Sequence, residues 1–276
     1  KIKKVTVNNV PFETLLKIRK ADSETDKTVL KKGNVYKLKN LDKDEYVSYV
    51  DWSQFPNIHV DKWETHEDGT ITLNTMLQAG HYQLEEIDCS NGYLLNKEPL
   101  KFELTKDMDY DIAEDGVTPI VTITFENKPV KGKIKLSKEG EVLTGADVTD
   151  EKVTFRYETR RQKGAVYNVY AGEDIVAADG STIYQNGALV KEGLTTGEDG
   201  SATLDNLNIG TYVVTETQAP DKLICTGESK TVTLSAAGEN EEVSFSTVTF
   251  TNDRQKAAVS LVKQDGETRQ PLAGAV

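Results

Sequence analysis

The sequence contains few cysteines, and this shortage excludes one common way of stabilising an extracellular protein. Only Cys89 and Cys225 occur among 276 residues, so a disulfide-rich scaffold is excluded. The two cysteines stand at unequal distances from the strand motifs that the chain repeats. We therefore expect two unrelated thiols, buried or half-buried, rather than a disulfide or a metal pair. If the protein is extracellular, something other than disulfides must stabilise it.

Two further shortages limit the possible partners. No stretch approaches the roughly 18 apolar residues of a membrane span, so we expect no membrane insertion in this segment. Acidic residues outnumber basic ones by 45 to 33, which gives a net charge of −12 and argues against nucleic acid and anionic membrane surfaces as partners. We find no signal peptide and no sorting signal, so we expect a cytosolic protein or an internal segment of a longer one.

Segments with helical periodicity are also missing. Short stretches of alternating apolar and polar residues, separated by turn signals, fill the chain instead, as at 70–73 and 121–127. This pattern is typical of all-β sandwich proteins. The length suggests about two domains, and a hydrophobic content of 37% is adequate for strands that bury only one face.

A pair of polar residues, each in phase with apolar neighbours, recurs at a fixed interval. Each pair is an asparagine followed eleven residues later by a lysine: Asn9 and Lys20, Asn127 and Lys138, Asn252 and Lys263. Successive lysines are 118 and 125 residues apart, a spacing that suits independent domains. We therefore expect the last strand of a preceding repeat at 1–11, domain 1 at 12–129, domain 2 at 130–254, and the first strand of a following, truncated repeat at 255–276.

Each complete repeat also has a glutamate on the apolar face of a strand. Residues 82–86 and 212–216 end at Glu86 and Glu216, and in both stretches the glutamate is in phase with a tyrosine and an aliphatic residue. A lone carboxylate on a buried face is costly unless it is protonated or partnered. Its recurrence in both repeats therefore indicates that this glutamate has a role.

The three recurring residue types suggest a specific chemistry. Each complete repeat has one lysine, one glutamate and one asparagine on apolar faces: Lys20, Glu86 and Asn127, then Lys138, Glu216 and Asn252. Burial lowers the pKa of a lysine and raises that of a glutamate, so the amine could act as a nucleophile while the carboxyl group transfers protons. Held beside a carboxamide, such an amine could displace ammonia. A buried Lys–Glu ion pair with an asparagine beside it is the purely structural alternative.

These motifs resemble those of the CnaB-type (prealbumin-like, SpaA-type) domains of Gram-positive surface adhesins and pilins. The resemblance lies in Lys138 with its in-phase apolar neighbours, Tyr-Val-Val-Thr-Glu-Thr-Gln-Ala-Pro at 212–220, and Phe-Thr-Asn at 250–252. Leu-Ala-Gly-Ala-Val at 272–276 resembles the next strand of that family. The resemblance covers nearly the whole chain and implies an all-β fold of two tandem Ig-like, prealbumin-like sandwich domains in an elongated arrangement.

Membership of this family would imply spontaneous isopeptide bonds between the first and last strands of each domain. The bonds would join Lys20 to Asn127 and Lys138 to Asn252, with Glu86 and Glu216 as the catalysts. The first repeat departs from the family pattern, because Ile-Asp-Cys-Ser at 87–90 replaces the usual Thr-x-Ala-Pro and Glu85 precedes Glu86. Strand parity assigns the inward position to Glu86.

Two functions fit such a protein. One is a structural stalk or pilus-backbone segment that bears tension and resists proteolysis, with neighbouring repeats of the same chain and other pilin subunits as partners. The alternative is an adhesin region in which residues 46–63 or the polar insertion 141–163 bind a host protein or glycan. A multiple-turnover enzyme is disfavoured, because the three histidines, His59, His66 and His81, lack a nucleophile motif around them.

No cofactor and no metal site are predicted. Asp107, Asp109 and Asp111 are spaced like calcium ligands, but Ile112 and Thr118 occupy the positions where an EF-hand loop needs glycine and glutamate. A solvated acidic loop is the preferred interpretation. The family resemblance implies an extracellular, cell-wall-anchored protein whose signal peptide and anchor lie outside this segment.

Overall fold

The structure is a computed structural model that describes residues 12–53, 55–150, 152–177, 179–236, 240 and 243–274. Within these residues the chain forms strands and turns without helices, and the strands build two tandem β-sandwich domains. The predicted all-β class is therefore confirmed. In the part of the chain that is described, no helix could cross a membrane.

Domain 1 contains strands that are mostly short. They are β1 (Glu13–Asp22), β2 (Val35–Asn40), β3 (Glu45–Tyr46), β4 (Tyr49–Asp51), β5 (Ile58–Val60), β6 (Trp63–Glu64), β7 (Thr70–Thr72), β8 (Leu77–Gln78), β9 (Gly80–Asp88), β10 (Leu100–Leu104), β11 (Asp111–Ile112) and β12 (Pro119–Asn127). One sheet has the order β11-β12-β1-β7 with β8 also on β1, and the other has the order β10-β9-β2-β3 with β6 on β2. Strands β4 and β5 form a separate ribbon.

Domain 2 repeats this plan with longer strands. They are β13 (Lys131–Val148), β14 (Val153–Arg161), β15 (Val166–Ala171), β16 (Ile175–Val176), β17 (Thr182–Tyr184), β18 (Leu189–Thr195), β19 (Ser201–Asn208), β20 (Gly210–Gln218), β21 (Ser229–Leu234) and β22 (Val243–Asn252). One sheet has the order β14-β13-β19 with β22 on β13, and the other has the order β18-β15-β20-β21. Strands β16 and β17 pair with each other.

The first and last strands of each domain are parallel neighbours. Strand β1 pairs with β12, and β13 pairs with β22. Alternate residues of these strands point into the core between the two sheets, as the buried-intermediate alternation of β1 shows. The fully buried members of the two cores come from both sheets and include Leu16, Ile18, Tyr36 and Leu84 in domain 1, and Ile134, Leu136, Tyr167 and Val214 in domain 2.

The two regions that were predicted as insertions are ordered differently. Residues 46–63 form short strands and turns in which Trp63 is buried, whereas Trp52 and Phe55 are 77% and 100% exposed. The polar insertion 141–163 is largely a β-hairpin, because β13 continues beyond the core to Val148 and β14 returns beside it. The acidic loop that starts at Asp107 includes β11, which pairs with β12.

The two domains meet at residues 128–131. The backbone N–H of Val130 donates to the carbonyl of Gly92 at 2.8 Å, and two ion pairs cross the junction, Glu24 to Lys131 at 2.7 Å and Lys27 to Asp179 at 2.5 Å. The boundaries 12–129 and 130–254 remain predictions.

The predictions for the two ends of the chain have different outcomes. Asn9 lies outside the described residues. Residues 255–274 form no strand within the described part, and their pairing there is an isolated bridge between Gln264 and Pro271. Val259 and Leu261, which alternate as in a strand, are 86% and 92% exposed, since no second sheet covers them. The assignment of this segment to a following repeat remains a prediction.

Candidate functional site

Parallel pairing places the lysine and the asparagine of each domain on one face. Lys20 is opposite Phe125 in the register of β1 and β12, and Lys138 is opposite Phe250 in that of β13 and β22. The asparagine follows two residues after each phenylalanine, so it points to the same side of the sheet as the lysine. Both lysines are completely buried and both asparagines are 2% exposed.

The glutamate approaches from the opposite sheet. Glu86 lies on β9 opposite Tyr36, and Glu216 lies on β20 opposite Tyr167. In both domains the register shifts next to this pair, so the strand that carries the glutamate has a bulge directly after it. Both glutamate side chains are completely buried. The repeated bulge therefore accompanies an inward carboxylate in each core.

In domain 2 one carboxylate contacts both other groups. Lys138 Nζ lies 2.8 Å from Glu216 Oε1, and Asn252 Nδ2 donates to Glu216 Oε2 at 2.6 Å. The lysine contact has the distance of an ion pair but lacks the alignment of a hydrogen bond. As a result Lys138 Nζ, Glu216 Oε1 and Asn252 Oδ1 are buried without a hydrogen-bond partner, which is uncommon for buried polar atoms.

In domain 1 the carboxylate has more donors. Lys20 Nζ donates to Glu86 Oε1, while Asn127 Nδ2 at 2.5 Å and the backbone N–H of Asn96 at 2.9 Å donate to Glu86 Oε2. Asn127 Nδ2 also donates to the carbonyl of Leu94 at 2.7 Å. Asn127 Oδ1 is buried and without a partner, like its counterpart in domain 2.

Aromatic rings enclose both sites. The ring centroids of Tyr36 and Phe125 lie 5.9 and 5.5 Å from Lys20 Nζ, and in domain 2 the rings of Tyr167 and Phe250 are 4.9 Å apart. Burial lowers the pKa of Lys20, and the nearby Glu86 carboxylate opposes that shift only in part. Burial also raises the pKa of both tyrosines, with the glutamate adding to the effect. These shifts favour the uncharged forms of the amine and the phenols.

Both predicted constellations are thus assembled across the core. A family model described as "SpaA: Prealbumin-like fold domain" matches residues 14–116 and 132–249. The chain belongs to this SpaA family. The two matched ranges correspond to the two sandwiches, so the predicted resemblance is confirmed.

Several solved structures are similar to this chain at low sequence identity. The Bacillus anthracis TIE protein is 20% identical, with a TM-score of 0.49, over 88% of this chain and 34% of that one. A streptococcal ancillary pilin is 21% identical, with a TM-score of 0.32, over 89% and 63%. GBS52, the minor pilin of Streptococcus agalactiae, is 14% identical, with a TM-score of 0.32, over 91% and 100%. No curated protein matches.

The present chain therefore spans about a third of the TIE protein and less than two thirds of the ancillary pilin. The activities and partners of any longer protein that contains these SpaA domains can therefore only be proposed.

The structure also places the third lysine, the histidines and the cysteines that the sequence analysis considered. Lys263 is exposed, unlike the buried Lys20 and Lys138. The three histidines are exposed and take no part in either site. Cys89 and Cys225 are not in disulfides, but the expectation that both are at least half-buried was wrong, because Cys225 is exposed. It lies in the loop between β20 and β21.

Some contributing residues of the SpaA domains were not predicted. Tyr36 and Tyr167 could have been found, because each is in phase with the apolar residues of its strand. Asn96 and Leu94 offered no such signal, since they contribute backbone groups from a loop. Among the described residues no three His, Cys, Asp or Glu side chains are grouped as a metal site would require.

Proposed function

We propose that this chain is a structural stalk segment of a Gram-positive surface adhesin or pilus, closed in each domain by a Lys–Asn isopeptide bond. The observation that carries the proposal is the same in both domains. A single buried glutamate contacts a lysine of the first strand and an asparagine of the last strand.

The reaction that this geometry supports is a transamidation. The neutral Nζ of the lysine attacks Cγ of the asparagine, a C–N bond forms, and Nδ2 takes up a proton and leaves as ammonia. Glutamate passes the proton from the attacking amine to the leaving nitrogen and is regenerated. The lowered pKa of Lys20 supports a neutral nucleophile, and the shared carboxylate supplies proximity.

Bond formation would also change the hydrogen bonding of the buried atoms in domain 2 that lack partners. The new amide N–H of Lys138 could donate to Glu216 Oε1, so two of the three unpartnered atoms would satisfy each other. The departure of Asn252 Nδ2 would at the same time remove the hydrogen bond that it donates to Glu216 Oε2. The chemistry needs neither cofactor nor partner, turns over once per site, and is expected to accompany folding.

Intact mass spectrometry tests this proposal. We expect the purified chain to be lighter than its sequence by two ammonias, and Lys20→Ala and Lys138→Ala each to restore one. Lys263→Ala is the matched control and should restore none, because Lys263 lies in an exposed segment without a glutamate or an asparagine partner. A chain with its full sequence mass would contradict the proposal and would show that both sites are noncovalent buried ion pairs.

A second function, binding of a host protein or glycan, is favoured by one specific observation. Trp52 and Phe55 project from the β4–β5 region and are 77% and 100% exposed, and aromatic residues are common anchors at binding surfaces. A glycan and matrix-protein binding screen would test this function, with Trp52→Ala and Phe55→Ala as the disabling variants. Phe245→Ala, which removes an exposed aromatic side chain of domain 2, would serve as the control.

A further inference from the structure

The segment that follows the lysine of the first strand is a short turn in domain 1 and a long hairpin in domain 2. In domain 1 the chain turns back directly after Lys20, and the N–H of Val29 donates to the carbonyl of Lys20 at 3.0 Å. In domain 2 the equivalent bond runs from Gln162 to the carbonyl of Lys138 at 2.9 Å. The short turn of domain 1 is therefore replaced by the outer part of β13 and by β14, which we call the hairpin (residues 139–161).

In domain 1 this place in the fold faces the domain that follows. The turn contributes Glu24, which pairs with Lys131, and Lys27, which pairs with Asp179. Both partners belong to domain 2. The hairpin stands at the corresponding place in domain 2, so it points toward whatever follows Asn252.

The chain leaves both domains along the same path. Val130 donates to the carbonyl of Gly92 at the end of domain 1, and Gln255 donates to that of Lys222 at the end of domain 2, both at 2.8 Å. Isolated bridges accompany these bonds, Tyr93 with Pro129 and Leu223 with Arg254. The junction after domain 2 therefore begins with the same backbone geometry as the junction between the two domains.

One face of the hairpin is apolar and uncovered. Directly opposed residues of antiparallel strands share a face, and the register pairs Val148 with Val153 and Ala146 with Phe155. We define the apolar face of the hairpin by these members: Leu143, Ala146, Val148, Val153, Phe155 and Tyr157. Val148 and Phe155 are 74% and 55% exposed. The opposite face is polar, with Thr154, Arg156 and Glu158.

The chain exits across the base of this face. The guanidinium of Arg254 lies 3.8 Å above the ring of Tyr157 and forms an ion pair with Glu141. Residues after Arg254 therefore leave domain 2 on the apolar side of the hairpin, where the uncovered side chains stand.

We propose that the apolar face of the hairpin is the docking surface for a following SpaA-type repeat, whose first strand is the segment that contains Lys263. Eight extended residues, 141–148, reach on the order of 26 Å at the rise of a β-strand, so the hairpin would contact the side of that domain, whereas the turn of domain 1 contacts only the near edge. This docking does not depend on the isopeptide chemistry. It makes the second junction stiffer and less polar than the first.

Hydrogen exchange in two chains of different length tests this assignment. One is the 276-residue chain, and the other continues through one complete repeat. We expect the amides of β14 to exchange about tenfold more slowly in the longer chain, because docking must open before they exchange. Phe155→Asp should abolish the difference, whereas Thr154→Asp on the polar face of the same strand should preserve it.

The alternatives give different results. Equal exchange in the two chains would overturn the proposal, and so would protection in the 276-residue chain that grows with concentration, because that would assign the face to a second copy. Melting of domain 2 is monitored in each variant. If Phe155→Asp unfolds that domain, Val148→Asp at the tip of the hairpin, remote from the core, repeats the test.

Discussion

The two glutamate sites share their geometry but differ in how completely the carboxylate is bonded. Glu86 receives three aligned donors, one of them the backbone N–H of Asn96, whereas Glu216 receives one aligned donor and one close amine. The sequences after the two glutamates also differ, with Cys89 and Ser90 in the first and Ala219 and Pro220 in the second. Both domains pair the glutamate strand with the tyrosine strand and have a bulge directly after the glutamate, and these shared features place the carboxylate in the core. The additional donor in domain 1 is the backbone N–H of Asn96, which belongs to the loop after β9.

This difference has a chemical consequence. In domain 1 a loop from 94 to 96 closes over the site and engages both Asn127 and Glu86. A carboxylate held by three donors is less free to move between the amine and the carboxamide than one held by a single aligned donor. If the proposed bonds form, we therefore expect the site of domain 2 to react more readily, because the carboxylate of domain 1 is held by more hydrogen bonds.

The largest expected effect is on the stability of domain 2. Glu216→Ala should prevent its bond, which closes the segment from Lys138 to Asn252, and should lower the unfolding free energy of the domain by on the order of 4–5 kcal/mol by analogy with disulfides. The isosteric variant Glu216→Gln keeps the packing and should also fail to react. Scanning calorimetry and limited proteolysis provide the measurement, with domain 1 of the same molecule as the internal control. Unchanged melting would argue against a bond in domain 2.

A smaller expected effect is a difference in the times at which the two isopeptide bonds form. We expect the bond in domain 2 to form before that in domain 1, because Glu216 has fewer competing donors. Chains synthesised in a short pulse and quenched in acidic denaturant can be digested and weighed as cross-linked peptides at successive times. Simultaneous formation, or earlier formation in domain 1, would show that the extra donors of Glu86 do not hinder the reaction. A bond that forms only after an added enzyme would reject the autocatalytic mechanism altogether.

The smallest effect is a pH dependence of domain 1. In Asn127→Ala no bond can form, so Lys20 remains a titratable amine. Its pKa is lowered in the folded state by burial, so between that value and the unfolded value of about 10.4 the unfolded chain binds more protons. Stability should therefore rise with pH across this window. Denaturant titrations measure it, and the double variant with Lys20→Met should lose the rise. An identical slope in the two variants would show that Lys20 is not the group responsible.

Much of this arrangement was predictable because strand periodicity assigns faces. Lys20, Glu86 and Asn127 were identified from their phase with apolar neighbours and from their recurrence in the second repeat, and the structure brings them together. The same pattern at Lys263 gives an exposed side chain, because a face becomes buried only when a second sheet covers it. The hairpin could not be predicted, since ladder hydrogen bonds rather than burial hold it and its composition is that of a polar insertion. The loop donors at 94–96 act through backbone groups, which sequence patterns do not reveal.

The parallel pairing of the first and last strands has a mechanical consequence. With both cross-links in place, a pulling force would enter domain 1 at Glu13, pass along β1 to Lys20, cross to Asn127 and leave directly into β13. The 106 residues between that lysine and that asparagine would carry no load, and neither would the 113 residues between Lys138 and Asn252 in domain 2. Each bypassed segment has an extended length on the order of 350–400 Å. A pulled molecule would therefore show no unfolding steps of that size, and its contour would consist of little more than two short strands and a junction.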